Sequence, residues 1–334
     1  MKEKINVLVT GGAGFIGSHV VDELVALNYQ VVVLDDLSGG FLENVNDNAI
    51  FVNGSINDIE LVNSLFKVFN FDYVYHLAAY AAEGLSHFIK NFNHNNNLIG
   101  SVNLINAAVN YNVRCFVFTS SIAVYGAGQL PMHEETVPKP EDSYGIAKYA
   151  VEMELQVSHE MFGLDYIIFR PHNVFGERQN LGDKYRNVVG IFMNQIMQDQ
   201  PITIFGNGEQ SRAFTYIQGV AKTIASSVLN KRAYGEVFNV GADSAITVNE
   251  LARLVFESMG KSTDINYLPV RNEVKHAYSS HQKVKDILNY QEEIDLKEGI
   301  KRMSNWAMIA GSKKSDYFNN IEITKNLPPS WKQK

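Results

Sequence analysis

Residues 10–17 have the sequence TGGAGFIG and lie between a short apolar run at residues 5–9 and a longer amphipathic run at residues 15–27. Three of the glycines are spaced three residues apart, and the stretch also matches the pattern G-x-G-x-x-G. A strand, a tight glycine turn and a helix in this order present backbone N–H groups to a diphosphate, with no Cβ in the way. The stretch therefore predicts a dinucleotide site. We expect its contacts to come from Gly11, Gly14, Phe15, Ile16 and Gly17.

A carboxylate stands at the end of the second apolar run. Asp35 closes the run at residues 31–35 and lies 18 residues beyond Gly17. A carboxylate there can accept hydrogen bonds from both hydroxyls of an adenosine ribose, and it would repel a 2′-phosphate. This favours NAD over NADP as the cofactor. Asp36, one residue past the strand end, is the weaker candidate for the same contact.

Short apolar runs alternate with longer amphipathic stretches through the first 170 residues. The runs predict strands at residues 5–9, 31–35, 50–52, 73–77, 115–120 and 166–170, and the stretches predict helices at 15–27, 59–69, 98–111 and 144–162. This alternation indicates an α/β fold with a Rossmann-type, doubly wound parallel sheet. The Asn-rich stretch at residues 91–97 is interpreted as a polar loop with helix-capping residues.

The pattern changes near residue 173, where loops rich in Gly and Asn begin. We predict an NAD-binding Rossmann domain at residues 1–172, to which segments near 213–241 return. A smaller α/β lobe at residues 173–212 and 242–310 is predicted to bind the substrate. The polar, Pro-containing tail at residues 311–334 is interpreted as a peripheral C-terminal extension.

Composition limits the class of protein. The 334 residues are 46% hydrophobic and 19% charged, which is typical of a globular chain, and the net charge of -7 gives no basic footprint for nucleic acid. The single cysteine, Cys115, cannot form an intramolecular disulfide, so we expect a cytoplasmic protein. The N-terminal apolar run is broken by glycines and predicts neither a signal peptide nor a membrane span. No second ligand lies at a suitable spacing from His76, so no metal site is expected.

Three polar residues form the candidate catalytic group. Tyr144 and Lys148 are four residues apart and therefore share one face of a predicted helix. A tyrosine with a pKa of about 10 is a poor base at neutral pH, but a lysine ammonium one turn away favours its phenolate. Ser121 follows a predicted strand end, where its hydroxyl can hydrogen-bond a reacting oxygen. The combination predicts a tyrosine proton acceptor beside a nicotinamide cofactor.

With these motifs the sequence resembles the extended short-chain dehydrogenase/reductase family, in particular its nucleotide-sugar 4-epimerases and dehydratases. The matching segments are residues 10–17, 76–79 (HLAA), 120–121, 124–126 (VYG), 144–148 and 170–176 (RPHNVFG). The resemblance implies adenine contacts from Asp58 and Ile59, and a place for Asn97 near the nicotinamide. It also implies cofactor contacts from Ala78, Ala79, Tyr80, Ser120, Tyr144, Lys148 and Pro171.

The same resemblance extends to a nucleotide-diphospho-sugar site. It implies that Asn173, Arg212 and Arg271 hold the diphosphate and ribose, which suits the guanidinium fork of arginine. It places Ile204 and Phe205 on a strand that packs on the base. The remaining implied substrate contacts are Ser121, Asn187, Val188, Glu273 and Ala277.

The resemblance also separates the reactions of the family. Its dehydratases carry an Asp-Glu pair after the catalytic hydroxyl residue, where this chain has Ile122 and Ala123. GDP-mannose 3,5-epimerases carry a Cys at the position of Ala123. The remaining groups, one base, one hydroxyl donor and one hydride acceptor, suffice for inversion at C4 through a 4-keto sugar. A sugar-nucleotide oxidoreductase or decarboxylase, and a non-catalytic NAD-binding sensor, remain as alternatives.

Two further expectations follow from the resemblance. Ala277 occupies a position where residue size limits the C2 substituent of the sugar, so an acetamido group should fit, as in UDP-GlcNAc and UDP-GalNAc. UDP-Glc and UDP-Gal are the other candidate substrates. The helices at residues 98–111 and 144–162 are expected to form the four-helix interface of a homodimer.

Overall fold

The computed structural model describes residues 4–128, 130–183, 185–186, 188–270, 276–315 and 318–331, and its centre is a seven-stranded parallel sheet with helices on both faces. In chain order the strands are β1 Asn6–Thr10, β2 Gln30–Asp35, β3 Ile50–Asn53, β4 Tyr73–His76, β5 Cys115–Thr119, β6 Tyr166–Pro171, β7 Val174–Phe175, β8 Ile202–Phe205, β9 Ser211–Ala213, β10 Thr215–Tyr216, β11 Glu236–Val240, β12 Ala245–Thr247, β13 Ile265–Leu268 and β14 His276–Ala277. The α/β Rossmann-type architecture predicted from the sequence is confirmed.

The α-helices connect these strands and cover the sheet. They are α1 Phe15–Ala26, α2 Ile59–Phe69, α3 Glu83–Ser86, α4 Lys90–His94, α5 Gly100–Asn110, α6 Ser143–Phe162, α7 Val188–Met197, α8 Ile217–Ser226, α9 Val248–Met259, α10 Gln282–Leu288 and α11 Leu296–Ala310. No helix among the described residues is long and apolar enough to cross a membrane.

The order of strands in the main sheet determines where a ligand can bind. The order is β11-β6-β5-β4-β1-β2-β3, with every pairing parallel. The chain winds outward in both directions from the β1–β4 pair, so the loops after these two strands diverge. Ligands of open parallel sheets bind in the crevice that such a switch point opens at the carboxyl ends of the strands.

Two hydrophobic cores form on the two faces of this sheet because successive strand side chains point in opposite directions. Val7 and Val9 pack with α1 and α8, whereas Leu8 packs on the opposite face with α2, α5 and α6. The second strand alternates in the same way, with Val33 in the first core and Val32 in the second. Burial on both faces explains why these strands are continuous apolar runs in the sequence.

The interpretation of residues 91–97 as a loop is wrong. A helical segment begins at Lys90, passes through a π-helical turn at Asn95–Ile99 and continues as α5. Its asparagines bond to one another along the helix: Asn97 Nδ2 donates to Asn93 Oδ1 over 2.8 Å, and Asn93 Nδ2 donates to the carbonyl of Ser143. Low helix propensity favoured a loop, but these buried amide contacts outweigh it.

Residues after 173 contribute to both parts of the molecule. β11 pairs with β6 in the main sheet, and α8 packs on α1. The smaller sheets are β12-β9-β14, β13-β8 and β10-β7. The predicted division at residues 172, 213, 241 and 310 stays a prediction, since the first core continues through both parts without a break.

The C-terminal tail is packed and not merely peripheral. Leu327 and Trp331 are buried against Leu85 and Ile89, beside α3. The Glu322 carboxylate accepts hydrogen bonds from the backbone N–H groups at the start of α4. The tail therefore supports the segment that follows β4 in the crevice.

Candidate active site

The glycine loop makes its closest approaches to the loop after β4 and to itself. Gly11 has φ +74, and a Cβ at this position would lie 2.6 Å from the backbone N of Ala78. A Cβ on Gly17 would collide with the carbonyl oxygen of Gly11. Gly14 is the N-cap of α1 and provides no side-chain cap, so the first N–H groups of the helix face the crevice. The loop has the geometry of an anion cradle at a helix N-terminus.

Asp35 lies beneath this cradle at the end of β2. Its Oδ2 accepts from the N–H of Ala13 over 3.0 Å, and its Oδ1 accepts from the N–H of Leu37 over 2.8 Å. Burial raises the pKa of its carboxyl group, and these backbone hydrogen bonds oppose the rise. Because each oxygen keeps a lone pair, the fixed carboxylate can still accept two ribose hydroxyls.

The other residues predicted near the adenosine lie at the rim of the crevice. Asp36 is exposed and accepts from the N–H of Ser38. Asp58 caps α2 by accepting from the N–H of Leu61, and Ile59 is exposed. Asp58 and Ile59 are thus accessible to an adenine base, whereas the Asp36 side chain bonds to the backbone of its own turn.

The loop after β4 is held by Asn97 from the π-helical turn. The Asn97 side chain accepts from the N–H of Tyr80 over 2.8 Å and donates to the carbonyl of the same residue over 3.1 Å. Both amide hydrogens of Asn97 are used, the second by Asn93. Asn97 therefore fixes the backbone of Tyr80 in the loop after β4, and a cofactor contact of Ala78, Ala79, Tyr80 or Asn97 stays a prediction.

His76 fixes the carboxyl end of β4. Its ring nitrogens lie 2.7 Å from Thr10 Oγ1 and 2.8 Å from Ser101 Oγ, and Ser101 in turn donates to the carbonyl of Asn97. Burial lowers the pKa of His76 well below its ordinary value, so the ring is neutral. Within the described part of the chain, no group of three or more potential ligands could hold a metal ion.

Tyr144 is positioned by the start of α6. The Asp142 carboxylate caps this helix by accepting from the N–H of Gly145 over 2.7 Å, and Ser86 Oγ accepts from the N–H of Tyr144 over 3.1 Å. The phenol and the Ser121 hydroxyl are both buried, and this hydroxyl acts on the pKa of the phenol. Ser121 begins a short turn after β5, so the end of β5 and the start of α6 supply these two groups.

Lys148 is almost fully buried one turn further along α6. Its Nζ donates to the carbonyl of Thr119 over 2.8 Å and lies 5.8 Å from the centroid of the Tyr144 ring. Burial lowers the pKa of its amine to about 7, an effect that the Glu152 carboxylate opposes. Such a lysine carries a charge that solvent screens little, which strengthens its field at the tyrosine.

Burial dominates the ionisation of Tyr144. It raises the pKa of the phenol above its ordinary value, and the negative charge of Glu83 acts in the same direction. The Ser121 hydroxyl and the guanidinium of Arg186 lower the pKa. The chain by itself therefore holds a protonated phenol, and a further positive charge in the crevice is needed to favour the phenolate.

Two buried hydroxyls mark a ligand position beside these groups. Thr119 Oγ1 and Ser120 Oγ are buried without a hydrogen-bond partner among the described residues. Buried hydroxyls are almost always hydrogen-bonded, so both fit the polar groups of a bound cofactor. Ser120 was predicted as a cofactor contact, whereas Thr119 was missed because a strand threonine usually serves packing.

Sequence reasoning missed two charged contacts of the site. Glu152 forms a buried ion pair with Arg170, whose Nε donates to Glu152 Oε1 over 2.9 Å, and this pair lies one helix turn from Lys148. Arg186 pairs with Asp183 and stacks 4.9 Å from the Tyr80 ring centroid. No local sequence pattern indicates either contact. Arg170 is distant from Glu152 in the sequence, and Arg186 lies in an irregular loop.

The predicted diphosphate contacts lie where β6 ends and β9 begins. Asn173 has φ +42, and its Nδ2 donates to the carbonyl of Ala213 over 3.2 Å. Arg212 precedes that residue, is half-buried and donates to the carbonyl of Ser211. Pro171 lies buried at the end of β6, directly before this junction.

The remaining predicted substrate residues are placed unevenly. The Ile204 side chain packs in the first core, so only its backbone could meet a ligand, whereas Phe205 is half-buried at the end of β8. Val188 begins α7 and packs partly against the same core. Ala277 is buried in a cluster with Ile122, the residue after Ser121. Asn187, Arg271 and Glu273 lie outside the described residues.

These features define a dinucleotide-binding fold with buried tyrosine, lysine and serine side chains where β5 ends and α6 begins. The family model of the NAD dependent epimerase/dehydratase family matches residues 7–241. The chain therefore belongs to this family, and its cofactor is NAD. The family resemblance and the NAD prediction are both confirmed.

Several relatives are named as UDP-sugar 4-epimerases. The chain is 36% identical over 306 residues to a putative UDP-glucose 4-epimerase of Methanocaldococcus jannaschii, covering 90% of this chain and 97% of that protein. It superimposes with a TM-score of 0.86 on the UDP-glucose 4-epimerase of Thermotoga maritima with UDP-glucose, at 36% identity, covering 90% of this chain and 98% of the other. A UDP-N-acetylglucosamine 4-epimerase of Methanobrevibacter ruminantium, in complex with UDP-N-acetylmuramic acid, gives 0.85 at 33% identity and covers 92% and 99%.

Replacing Gly17 with Ala tests the anion cradle. The new Cβ collides with the carbonyl oxygen of Gly11, so the loop must move away from the cofactor diphosphate. We expect the NAD content of the purified, folded protein to fall at least about tenfold, measured by chromatography after denaturation. Gly128→Ala is the matched control, since a Cβ there meets nothing within 4 Å. Unchanged NAD content in the Gly17 variant would contradict the assignment.

Proposed function

We propose that this protein interconverts the C4 epimers of a UDP-sugar. The observation that carries the proposal is the shared burial of the Tyr144 phenol and the Ser121 hydroxyl, with the Lys148 amine 5.8 Å from the centroid of the Tyr144 ring. The two residues after Ser121 are Ile122 and Ala123, which supply no acid or base. A site with one proton acceptor and one hydroxyl donor suits alcohol–ketone chemistry at a single carbon.

The chain's own groups handle the proton. Tyr144 Oη, as the phenolate, accepts the proton of the C4 hydroxyl and later returns it to the C4 oxygen. Ser121 Oγ hydrogen-bonds the same oxygen and keeps it aligned with the phenol. The Lys148 ammonium stabilises the phenolate through its field, without touching the sugar.

When bound, NAD would supply a hydride acceptor for the C4 hydrogen, with no net oxidation over a complete turnover. The glycine loop would hold its diphosphate, and Asp35 would hold its ribose. Thr119 and Ser120 would offer their hydroxyls to its polar groups. A net oxidoreductase would instead consume added NAD in proportion to product, which absorbance at 340 nm distinguishes from epimerisation.

Tyr144→Phe removes only the phenolic oxygen. Because that oxygen is the sole proton acceptor in this mechanism, we expect kcat to fall about 10³- to 10⁴-fold. UDP-sugar binding and NAD content should stay near those of the unchanged protein. The measurement is NMR of the sugar products formed from UDP-glucose and UDP-N-acetylglucosamine.

Tyr149→Phe provides the control on the same helix. Tyr149 lies five residues after Tyr144 on α6, so the two side chains leave the helix in different directions, and Tyr149 packs against the cluster of Tyr125 and Met132. We expect it to retain most of the activity. Full turnover by the Tyr144 variant would rule out the proposed chemistry.

We infer that the site also accepts N-acetylated sugars. Ala277 is buried beside Ile122, directly after the catalytic serine, so its small side chain lies at the edge of the proposed sugar site. The neighbouring Tyr278 is half-buried and uses its backbone carbonyl to accept from the N–H of Met132. Space at residue 277 is what an acetamido group at C2 would need.

Ala277→Tyr tests this size limit. The larger ring should fill the space, so the ratio of activity on UDP-N-acetylglucosamine to activity on UDP-glucose should fall at least about tenfold. Because the ratio is measured in one protein, partial loss of folding does not affect it. A rise of the ratio would overturn the assignment of Ala277.

We propose that the protein forms a homodimer through α5 and α6. On α6 the side chains of Ile146, Met153, Val157 and Met161 are exposed at spacings of seven, four and four residues, which places them on one face. Ile99 is exposed in the helix that packs beside them. Such a stripe on neighbouring helices suits a four-helix interface.

Charges on this stripe should separate the subunits. We expect the double substitution Val157→Glu and Met161→Glu to convert a dimer into a monomer, measured by size-exclusion chromatography with light scattering. Val68→Glu is the control, since Val68 is equally exposed but lies on α2. A monomeric unchanged protein would refute the interface.

A further inference from the structure

Two buried histidines meet outside the catalytic group. His172 follows β6 and His281 precedes α10, and both side chains are buried. Their rings are stacked with centroids 5.1 Å apart, and their Nε2 atoms are separated by 2.9 Å. The proposed mechanism uses neither ring, although His172 adjoins Asn173.

Each ring has a second contact through its Nδ1 atom. His281 Nδ1 lies 2.8 Å from the Oδ1 atom of Asp243, and His172 Nδ1 lies 3.3 Å from the carbonyl oxygen of Ala213. Ser279 Oγ lies 3.1 Å from His281 Nε2, but a hydroxyl can rotate to donate or accept. The hydroxyl therefore does not fix the number of protons on the rings.

The other three contacts do fix that number. One contact joins His281 to the Asp243 carboxylate, one joins His172 to the Ala213 carbonyl, and one joins the two rings. Each of these contacts needs one proton on a ring nitrogen. Two neutral imidazoles carry only two protons. All three hydrogen bonds can therefore exist together only when the pair holds a third proton and one positive charge.

With two protons, one contact must remain unmade. The carboxylate of Asp243 is the strongest acceptor and takes the Nδ1–H of His281. His172 then donates its Nε2–H to His281 Nε2, which leaves His172 Nδ1 bare opposite the Ala213 carbonyl. This contact is the longest of the three. Burial lowers the pKa of both histidines, so the two-proton form is favoured at neutral pH.

The charges around the pair come from three elements. Asp243, after β11, pairs with His281 and also with Lys285 of α10 over 2.5 Å. Lys285 lowers the pKa of His281, while Asp243 raises it. Beyond them, Tyr290 and Glu292 face Asp243 from the segment after α10. The carboxylate is thus shared between an ammonium and the rings, and a second anion nearby would favour the third proton.

The bond from His172 to the Ala213 carbonyl lies next to the proposed diphosphate site. The Ala213 carbonyl that faces His172 also accepts from Asn173 Nδ2 over 3.2 Å, and Ala213 follows Arg212 in β9. The N–H of Thr215 donates to the carbonyl of Asn173, and its Oγ1 donates to the carbonyl of His172. These bonds therefore link the position of His172 to Asn173 and to the strand that carries Arg212.

We propose that His172 and His281 are positioning residues for the nucleotide diphosphate. Uptake of the third proton completes the bond from His172 Nδ1 to the Ala213 carbonyl and fixes Asn173 and Arg212 for binding. The inference rests on the proposed function insofar as those two residues bind a diphosphate. By linkage, binding of the anionic diphosphate favours the third proton, and the third proton favours binding.

The direction of the pH effect follows. Affinity for UDP-glucose should rise as the pH falls through the pKa of the pair in the complex. We expect about five- to tenfold tighter binding at pH 5.5 than at pH 8.5, which corresponds to one additional hydrogen bond. The measurement is calorimetric titration of the NAD-loaded protein with UDP-glucose, whose diphosphate diester does not titrate in this range.

Substitution of either ring separates positioning from simple packing. His281→Gln places an amide N–H opposite His172 Nε2, so neutral His172 can keep its proton on Nδ1 for the Ala213 carbonyl. This variant should bind tightly at every pH between 5.5 and 8.5. His172→Phe cannot make the bond and should bind weakly at every pH, with a raised KM and a nearly unchanged kcat. His276→Gln, which alters the other histidine bonded to β9, should keep the pH profile.

Ring-nitrogen NMR on ¹⁵N-labelled protein provides the direct readout. We expect His172 to carry its proton on Nε2 at pH 8.5 and to gain one on Nδ1 when UDP-glucose is added at pH 5.5. Affinity independent of pH in the unchanged protein, or a pH-dependent His281→Gln variant, overturns the inference. Absence of any UDP-glucose binding overturns both proposals. Binding that depends on pH without epimerisation removes the proposed function and leaves the inference standing.

Discussion

The active site depends on the burial of one ammonium group. Lys148 extends from α6 to the carbonyl of Thr119 at the carboxyl end of β5, and this bond, together with the Glu152–Arg170 pair, ties α6 to the sheet. A charge at this depth is costly, and the lowered pKa of the amine expresses that cost. The same contact helps to position two neighbours. Tyr144 lies one helix turn before Lys148, and Ser121 lies two residues after Thr119.

A second consequence of burial is that the chain alone disfavours the charges that its chemistry needs. Desolvation raises the pKa of Tyr144 and lowers that of Lys148, so both groups tend toward neutrality. Ligand charges then act in a medium that screens them weakly, so the positive ring of NAD can lower the pKa of Tyr144 strongly. In our proposal the buried histidine pair obeys the same principle, since a nearby anion favours its third proton.

The sequence predicted the parts of the site whose signals are local. The glycine spacing, Asp35 after β2 and the Tyr144–Lys148 spacing each lie within one strand–loop–helix unit or one helix turn, so their geometry follows from short-range rules. The prediction failed at residues 91–97 because side-chain amide bonds to distant loops outweigh a low helix propensity. Ile204 was assigned to the substrate, yet strand alternation places its side chain in the core. Arg186, Thr119 and the ion pair of Glu152 had no local signal.

The sequence by itself determined the winding of the sheet, the cofactor loop and the residue types available for catalysis, because period-2 and period-3.6 patterns and glycine turns act within a few residues. Tertiary structure alone decided which hydroxyls are buried together, how deeply Lys148 is buried, and that the rings of residues 172 and 281 come within hydrogen-bond distance although they are 109 positions apart in the chain. Burial and proton count are properties of an assembled environment, in which each group's partners come from elements far apart in the sequence.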